Sequence, residues 1–208
     1  IIPYHKKKDF FSLTIKSIKN QILKNYELIV IYDDINLDEI SYVKKQIKQI
    51  KNKKLIINKK NIGPGLSRNA GIKLAKGRYV SFCDADDTWK KNKLSYQVNF
   101  MIKNNLKFSH SNYNIINFNG KRIGSFEIEK KINYEDLLKS CDIGLSTVMI
   151  ENFLLSNYKF CNLKTKEDYY LWLKLIKKLK TLHGIKKYLV NWRSLENSLS
   201  SSKKQRIK

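Results

Sequence analysis

The residues best suited to chemistry lie in one stretch, KGRYVSFCDADDTW, from Lys76 to Trp89. Asp84, Asp86 and Asp87 are crowded together with only Ala85 among them. Carboxylates this close repel one another, and a hard divalent cation relieves the repulsion by taking oxygen ligands. Tyr79, Val80, Phe82 and Cys83 predict a short buried strand over Arg78–Cys83. Ligands of open α/β sheets bind at the carboxyl ends of strands. Asp84-Ala85-Asp86 is therefore placed to hold a metal and, through it, a phosphorylated ligand. Taken alone, the segment reads equally as a solvated acidic turn capping the next helix. A second acidic pair, Asp33-Asp34, ends the apolar run Leu28–Ile31, and a Gly-rich turn at 61–65 and Arg68 lie between the two pairs. Two acidic strand ends with a glycine turn and an arginine between them suggest a nucleotide pocket. A carboxylate there accepts from a base N–H or a ribose hydroxyl. Arg68 suits a phosphate or one of the aspartates, and a purely structural salt bridge to Asp33 or Asp84 is its competing reading.

The elements that must position these groups follow from periodicity. Ile1-Ile2-Pro3 reads as the end of a first strand. Asp9 is suited to cap a helix running to about Lys24, with Phe11, Ile15, Ile18 and Ile22 on one face. Glu27–Tyr32 is continuously apolar over Leu28–Ile31, as expected for a parallel strand covered on both faces. A helix over Asp38–Ile50, a strand at Leu55–Ile57 and a helix over Leu66–Ala75, ended by Gly77, precede the strand that leads to the aspartates. The resulting β-α-β-α-β-α-β order predicts an α/β chain with a mainly parallel, doubly wound sheet. The second half is less regular. It predicts helices at Lys90–Asn104, Tyr134–Lys139, Glu151–Ser156 and Lys166–Leu179. It also predicts a strand within Phe108–Phe118 with a hairpin turn at Asn119-Gly120, and strand material in Thr181–Val190. Residues 1–104 read as a nucleotide-binding half, 105–194 as an acceptor and catalytic half, and 195–208 as a mobile tail within one domain of 208 residues.

The formal net charge of +24 comes from 42 Lys+Arg against 18 Asp+Glu. So basic a chain attracts nucleic acid, anionic lipid headgroups or acidic small molecules. Most of the excess is lysine filling solvated helix faces, and the aromatics fall on apolar faces rather than among the lysines, which argues against a specific nucleic-acid module. The three cysteines, Cys83, Cys141 and Cys161, are widely spaced and form no Cys-x-x-Cys, so a disulfide framework or zinc site is not expected and a reducing cytosol fits. No apolar run reaches a membrane-spanning length. The chain opens without Met, inside a strand, so a truncated N-terminus is expected.

With these motifs in order, the chain resembles the family 2 glycosyltransferases of the GT-A fold, with a smaller mixed acceptor-side region beside the parallel sheet. The resemblance runs along nearly the whole chain. It rests on Ile-Ile-Pro and the aromatic at residues 1–5, Ser17-Ile18 through Gln21, Tyr26–Val30 and Asp33-Asp34. It continues through Asn61–Gly63 and Gly65–Ile72, Gly77–Val80 with Asp84–Asp87, and Lys166–Trp172. Each motif alone is weak; their shared order and spacing are specific.

The resemblance implies an inverting transfer of a sugar from a nucleotide-diphospho-sugar, a UDP-sugar first, to a hydroxyl of a glycan or lipid-linked acceptor. Bacterial surface glycans or glycolipids are the implied products, and the implied setting is cytoplasmic, with peripheral contact at the inner membrane face. Pro3 and His5 would line the nucleobase and Asp34, more than Asp33, would accept from it. Arg68 would lie near the base or the Asp-x-Asp. Asp84 would face the ribose or sugar, Asp86 would ligate Mg²⁺ or Mn²⁺ through the diphosphate, and Asp168 would deprotonate the acceptor with Glu167 as alternate. Asp87 would be a helix-capping neighbour, and Asp168, at a helix start, would have its pKa lowered by the dipole. Trp192-Arg193 and Asn197–Ser200 resemble a family loop that closes over the diphosphate. Ser146–Met149 would shape the acceptor site, while His110 and His183 have no evident role as ligands. His5 and Lys6 depart from the family's commoner Tyr and Asn, as Ile35-Asn36 do from Gly-Ser. A non-catalytic sugar-nucleotide binder and a basic nucleic-acid module are the alternatives. A nucleotidyltransferase lacks an activating lysine in the opening loop.

Overall fold

In the computed structural model, which describes residues 1–195, the first half builds a parallel sheet and the second half a mixed one. β1 (Ile2–Tyr4), β2 (Leu28–Tyr32) and β3 (Lys53–Ile57) pair in parallel, with Pro3 beside Ile31 and Val30 beside Leu55. Every residue of β2 is buried, which explains its unbroken apolar run: both faces are covered. The covering helices are α1 (Lys8–Lys19), α2 (Ile40–Ile47) and α3 (Pro64–Leu74).

β4 (Tyr79–Ser81) leads to the aspartates. The Ile1 nitrogen donates to Ser81 O at 2.9 Å and Cys83 N donates to Ile1 O at 3.1 Å. That is the bonding pattern of a parallel pair, so β4 continues the β3-β2-β1 series and the sheet is doubly wound as expected. Beyond β4 lie β5 (Thr88–Trp89), α4 (Lys93–Lys103), β6 (Phe108–Ile116), β7 (Arg122–Phe126), β8 (Lys131–Ile132) and α5 (Tyr134–Lys139). A 3-10 turn (Leu145–Thr147), β9 (Met149–Glu151), α6 (Leu154–Asn157), α7 (Glu167–Leu179) and β10 (Leu182–Arg193) complete the described chain. β9 is antiparallel to both β4 and β6, and β10 runs parallel to β6 and antiparallel to β5. β6 and β7 form the hairpin expected at Asn119-Gly120, where Gly120 has φ +81°.

Several boundaries move. Asp9 lies inside the first turn of α1 and caps nothing; the helix stops at Lys19, leaving Ile22 exposed. Gly77 does not end α3, which stops at Leu74 with Ala75 extended. Instead Lys76 N and Gly77 N are held by the Glu27 carboxylate. The helix expected over Glu151–Ser156 forms only from Leu154, as α6, because Met149–Glu151 is captured between β4 and β6 and a turn follows. β10 runs three residues beyond Val190, drawn out by pairing with β6. The expected tail lies outside the described residues from residue 196 on.

Two buried clusters flank the sheet. One gathers Phe11, Ile15, Val30, Val43, Met101 and Leu189; the other gathers Phe82, Phe108, Trp172, Leu175 and Ile176 under α7. Trp172 is fully buried, edge-on to Phe108 with centroids 5.4 Å apart. Residues 171, 172, 175 and 176 thus repeat on one face of α7 as their spacing predicted.

α4 also carries a buried cation. Lys93 is fully buried, with its Nζ 3.3 Å from Ser81 Oγ and 4.0 Å above the Trp89 ring. The ring offsets part of the desolvation cost, yet burial brings the ammonium from 10.5 down to about 7. Between those two pH values the unfolded chain holds the proton and the folded chain sheds it, so this group makes stability rise with pH across that window and contributes no slope below it. Lys93→Met is expected to raise the urea midpoint at pH 7 and to flatten that rise, as read by denaturation at pH 7, 8 and 9.

Candidate active site

Asp33 and Asp34 end β2, but they face different partners. Asp33 is buried and accepts from Ile62 N and Gly63 N, both at 2.9 Å, and from Asn58 Nδ2 at 2.8 Å. Its carboxylate is spent on fixing the Gly-rich turn. Gly63, at φ +84°, supplies the left-handed residue that this turn requires. Asp34 keeps an oxygen 3.3 Å from His5 Nδ1. His5 is half-exposed, with Nδ1 also 3.0 Å from Asp33 O and 3.1 Å from Asn61 Nδ2. Pro3, half-buried in β1, lies two residues before it. His5 and Asp34 therefore meet at one edge, and Asn61 beside His5 also lines a cleft of about 350 Å³ with Ile62, Gly63, Leu66 and Leu163.

Arg68 is brought to the second edge by α3. A Cβ on Gly65 would come within 2.9 Å of both Cys161 O and Glu167 Cγ, so only glycine lets α3 approach the start of α7 this closely. Arg68 is 3% exposed. Its Nη1 donates to Glu167 Oε1 at 2.5 Å and its Nη2 to Asp84 Oδ1 at 2.7 Å, while the guanidinium sits over the Phe160 ring at 5.4 Å. The arginine thus lies at the Asp-x-Asp and not at the His5–Asp34 edge. It joins the aspartates that follow β4 to the first residue of α7, reaching Glu167 from 99 positions away in sequence. Glu167, the alternate base, is buried in this pair.

Asp84 keeps its other carboxylate oxygen out of the Arg68 bond and is one-third exposed. Asp86 is more enclosed; burial and the neighbouring charge of Asp84 raise its pKa, against the pull of Lys7, whose Nζ is 2.7 Å from Asp86 Oδ2. Asp87 is not a helix cap. It is 1% exposed, accepts from Ser146 Oγ at 2.6 Å and from Arg193 N at 2.8 Å, and burial pushes its pKa well up. Asp87 ties β10 and the 3-10 turn beneath the aspartates. Ser146 also accepts from Asp84 N at 3.0 Å, so it shapes the Asp-x-Asp turn.

Arg193 likewise departs from expectation. It is buried, with Nε on Asp86 O at 3.0 Å and Nη1 on Asn117 O and Phe118 O, both at 2.7 Å. Those backbone carbonyls hold its Nε and Nη1. Its companion segment Asn197–Ser200 lies outside the described residues. His110 is fully buried core, and His183 is half-buried with Nε2 3.2 Å from Thr181 Oγ1.

Asp168 is half-buried at the start of α7, where its Oδ1 accepts from Tyr169 N at 2.7 Å. Its carboxyl is pushed up to about 6, first by burial and then by Glu167, while Arg68 pulls it down. The helix-start position led to the opposite expectation; desolvation outweighs the dipole. Such a carboxylate is ionised at neutral pH yet basic enough to take a proton. Among the described residues no group of three His, Cys, Asp or Glu side chains is arranged to hold a metal. Asp84 and Asp86 are instead a pair of hard oxygen donors that repel each other. They fit a cation whose remaining ligands are phosphate oxygens and water, the way Mg²⁺ is usually held.

The family model "Glycosyl transferase family 2" matches residues 1–160. The chain is 38% identical over 177 residues to WfgD of Escherichia coli, a UDP-Glc:alpha-D-GlcNAc-diphosphoundecaprenol beta-1,3-glucosyltransferase, covering 85% of this chain and 68% of that one. It is also 38% identical over 180 residues to WfaP of Escherichia coli, which has the same described activity, covering 86% and 69%. A crystal structure of S. aureus TarS 1-349 in complex with UDP-GlcNAc matches with a TM-score of 0.78 at 20% identity, over 97% of this chain. The chain spans 59% of that TarS chain, and the likeness extends to the fold alone. Motif order, sheet architecture and family match converge: the chain belongs to glycosyl transferase family 2, glycosyltransferases of the GT-A fold.

Proposed function

We propose that the chain is an inverting glycosyltransferase that transfers a sugar from a nucleotide-diphospho-sugar, a UDP-sugar first, to a hydroxyl of a glycan or lipid-linked acceptor in bacterial surface glycan synthesis. The observation that carries this reading is the Arg68 bridge, which gathers the Asp-x-Asp and the start of α7 into one site. Residues 1–104 serve the donor and 105–194 the acceptor side. Pro3 and His5 line the nucleobase and Asp34 accepts from it. Asp84 faces the ribose or sugar, with Arg68 holding its orientation. Asp86, with Asp84 beside it, would hold Mg²⁺ or Mn²⁺, which supplies charge neutralisation at the departing diphosphate. Asp168 takes the acceptor proton as the hydroxyl attacks the anomeric carbon from the face opposite the leaving group. One displacement of this kind inverts the centre and needs no covalent enzyme intermediate.

The relatives' names support the donor and acceptor classes: WfgD is described with UDP-Glc and a diphosphoundecaprenol-linked sugar, and TarS is crystallised with UDP and UDP-GlcNAc. No described helix is long and apolar enough to cross a membrane. A net charge of +24 favours peripheral contact with anionic headgroups at the cytoplasmic face, where a lipid-linked acceptor would be presented.

The test is a transfer screen with UDP-sugars, Mn²⁺ and a polyprenyl-diphospho-sugar acceptor, with the product's anomeric configuration read by NMR. An inverted glycoside is expected. A retained configuration overturns the mechanism, and nucleotide-sugar binding without any turnover overturns the enzyme reading in favour of a binder. Asp86→Ala run alongside is expected to weaken Mn²⁺-dependent UDP binding by at least about tenfold, the scale already seen for losing a partner that only supports a metal ligand; unchanged binding removes Asp86 from the metal role.

A further inference from the structure

Each Asp-x-Asp carboxylate already carries a cation from the chain, and the two cations are of different kinds. Arg68 on Asp84 is buried and forked between two carboxylates. Lys7 on Asp86 makes a single 2.7 Å contact, and its side chain is 29% exposed. Its backbone is anchored, because Phe10 N and Phe11 N both donate to Lys7 O at the start of α1. The preceding Lys6, at φ +48°, turns the loop so that it crosses from the His5 edge to the aspartates. On the other side Asp86 is fixed through its carbonyl by Arg193 Nε. The adjustable part is the lysine stem, a flexible arm bearing a compact charge.

We propose that Lys7 is a resident counter-ion that occupies Asp86 until donor binds, and that it passes to the donor's diphosphate when a divalent cation takes Asp86. This rests on the metal role of Asp86 given above. An ammonium 2.7 Å from Asp86 Oδ2 and a divalent ion on the same carboxylate repel each other strongly at so short a separation. A cation alone must therefore evict Lys7 and leave it unpaired beside the site. A nucleoside diphosphate brings negative charge for both cations, so eviction costs little once it is present. Metal and nucleotide then strengthen one another's binding, and by linkage the strengthening is equal in both directions. The diphosphate recruits a basic residue from the opening loop, on the same segment that carries the nucleobase contacts Pro3 and His5.

The experiment is Mn²⁺ titration of the full chain, with free Mn²⁺ read by electron paramagnetic resonance, with and without UDP. Wild type is expected to bind Mn²⁺ weakly alone and more tightly with UDP. Lys7→Met and Lys7→Gln are expected to bind Mn²⁺ alone about tenfold more tightly and to bind UDP at saturating Mn²⁺ several-fold more weakly, so that the gain from UDP shrinks. Adding Asp86→Asn to Lys7→Met is expected to return metal binding to the weak level, which locates the gain at Asp86. If wild type shows UDP-dependent Mn²⁺ binding but neither Lys7 variant binds the metal alone more tightly, the counter-ion role is overturned while the metal site stands. If the gain survives Asp86→Asn, it is likewise overturned. If no form binds Mn²⁺ even with UDP, the metal reading falls and the proposal falls with it.

Discussion

Asp168→Asn is expected to lower kcat by roughly a thousandfold, the scale of losing a general base, while leaving UDP binding in place. The amide preserves the shape of the side chain and cannot take the acceptor proton. Two further readouts separate this role from a structural one. In the wild type the carboxyl titrates near 6, so transfer requires the ionised form and falls about tenfold per unit below that pH; the variant's residual rate loses that limb. Stability moves the other way. The folded value is raised above the ordinary 3.8, so the folded chain holds the proton more tightly, and the stabilisation present below 3.8 is lost as pH rises through about 6. At pH 7 the wild type bears the cost of an ionised, half-buried carboxylate beside Glu167. Asp168→Asn removes that charge and is expected to raise the thermal midpoint at pH 7. A variant that loses activity and stability together would instead mark Asp168 as a structural residue. Retained full transfer would remove it from the chemistry.

The parts of the fold that the sequence makes legible are those where local pattern and burial coincide. β2 is buried along its whole length, and its apolar run has no other reading. α7 repeats its core residues on a single face, and the glycines at 63 and 65 mark a turn and a close approach. What is not legible depends on partners distant in sequence. In sequence Asp87 reads as a helix-capping neighbour and Arg193 as part of a loop closing over the diphosphate, both of them near solvent. Their burial follows from β10 pairing with β6 far enough to bring Arg193 N to Asp87, 106 residues away. Lys93 reads as one more surface lysine in a lysine-rich chain, yet it is wholly enclosed against Trp89. The same blindness reversed the expectation for Asp168: a helix start is visible in sequence, whereas the desolvation that outweighs it is supplied by the surrounding fold. Lys7 carries no motif at all; only its distance to Asp86 distinguishes it from its neighbours.

Arg68→Met is expected to destabilise the chain by about 3–5 kcal/mol, the usual cost of leaving buried charge without its partner, and to reduce transfer more than a hundredfold. Methionine fills much of the volume over Phe160, so lost packing contributes little and the unpaired carboxylates dominate. Glu167 is the group left worst off, since it is buried, whereas Asp84 is one-third exposed and can recover water. Adding Glu167→Gln to Arg68→Met should therefore restore a substantial part of the stability, because the uncompensated charge is gone. It should restore little of the activity, because the link that holds Asp84 to the start of α7 is still broken. Arg68→Lys is a further discriminator: one ammonium cannot fork between Asp84 and Glu167 as the guanidinium does, so it should fall between wild type and Arg68→Met in both measures. The pH profile offers a readout that packing alone would not move. Arg68 holds the Asp168 pKa down against burial and Glu167, so its removal shifts the acid limb of the residual activity to higher pH. In the double variant Glu167 no longer raises Asp168, and the limb should move back. A limb that stays fixed in both variants would mean that Arg68 supports the fold without reaching the base. A limb that moves out and back would tie the donor aspartates, the arginine and the proton acceptor into one electrostatic unit.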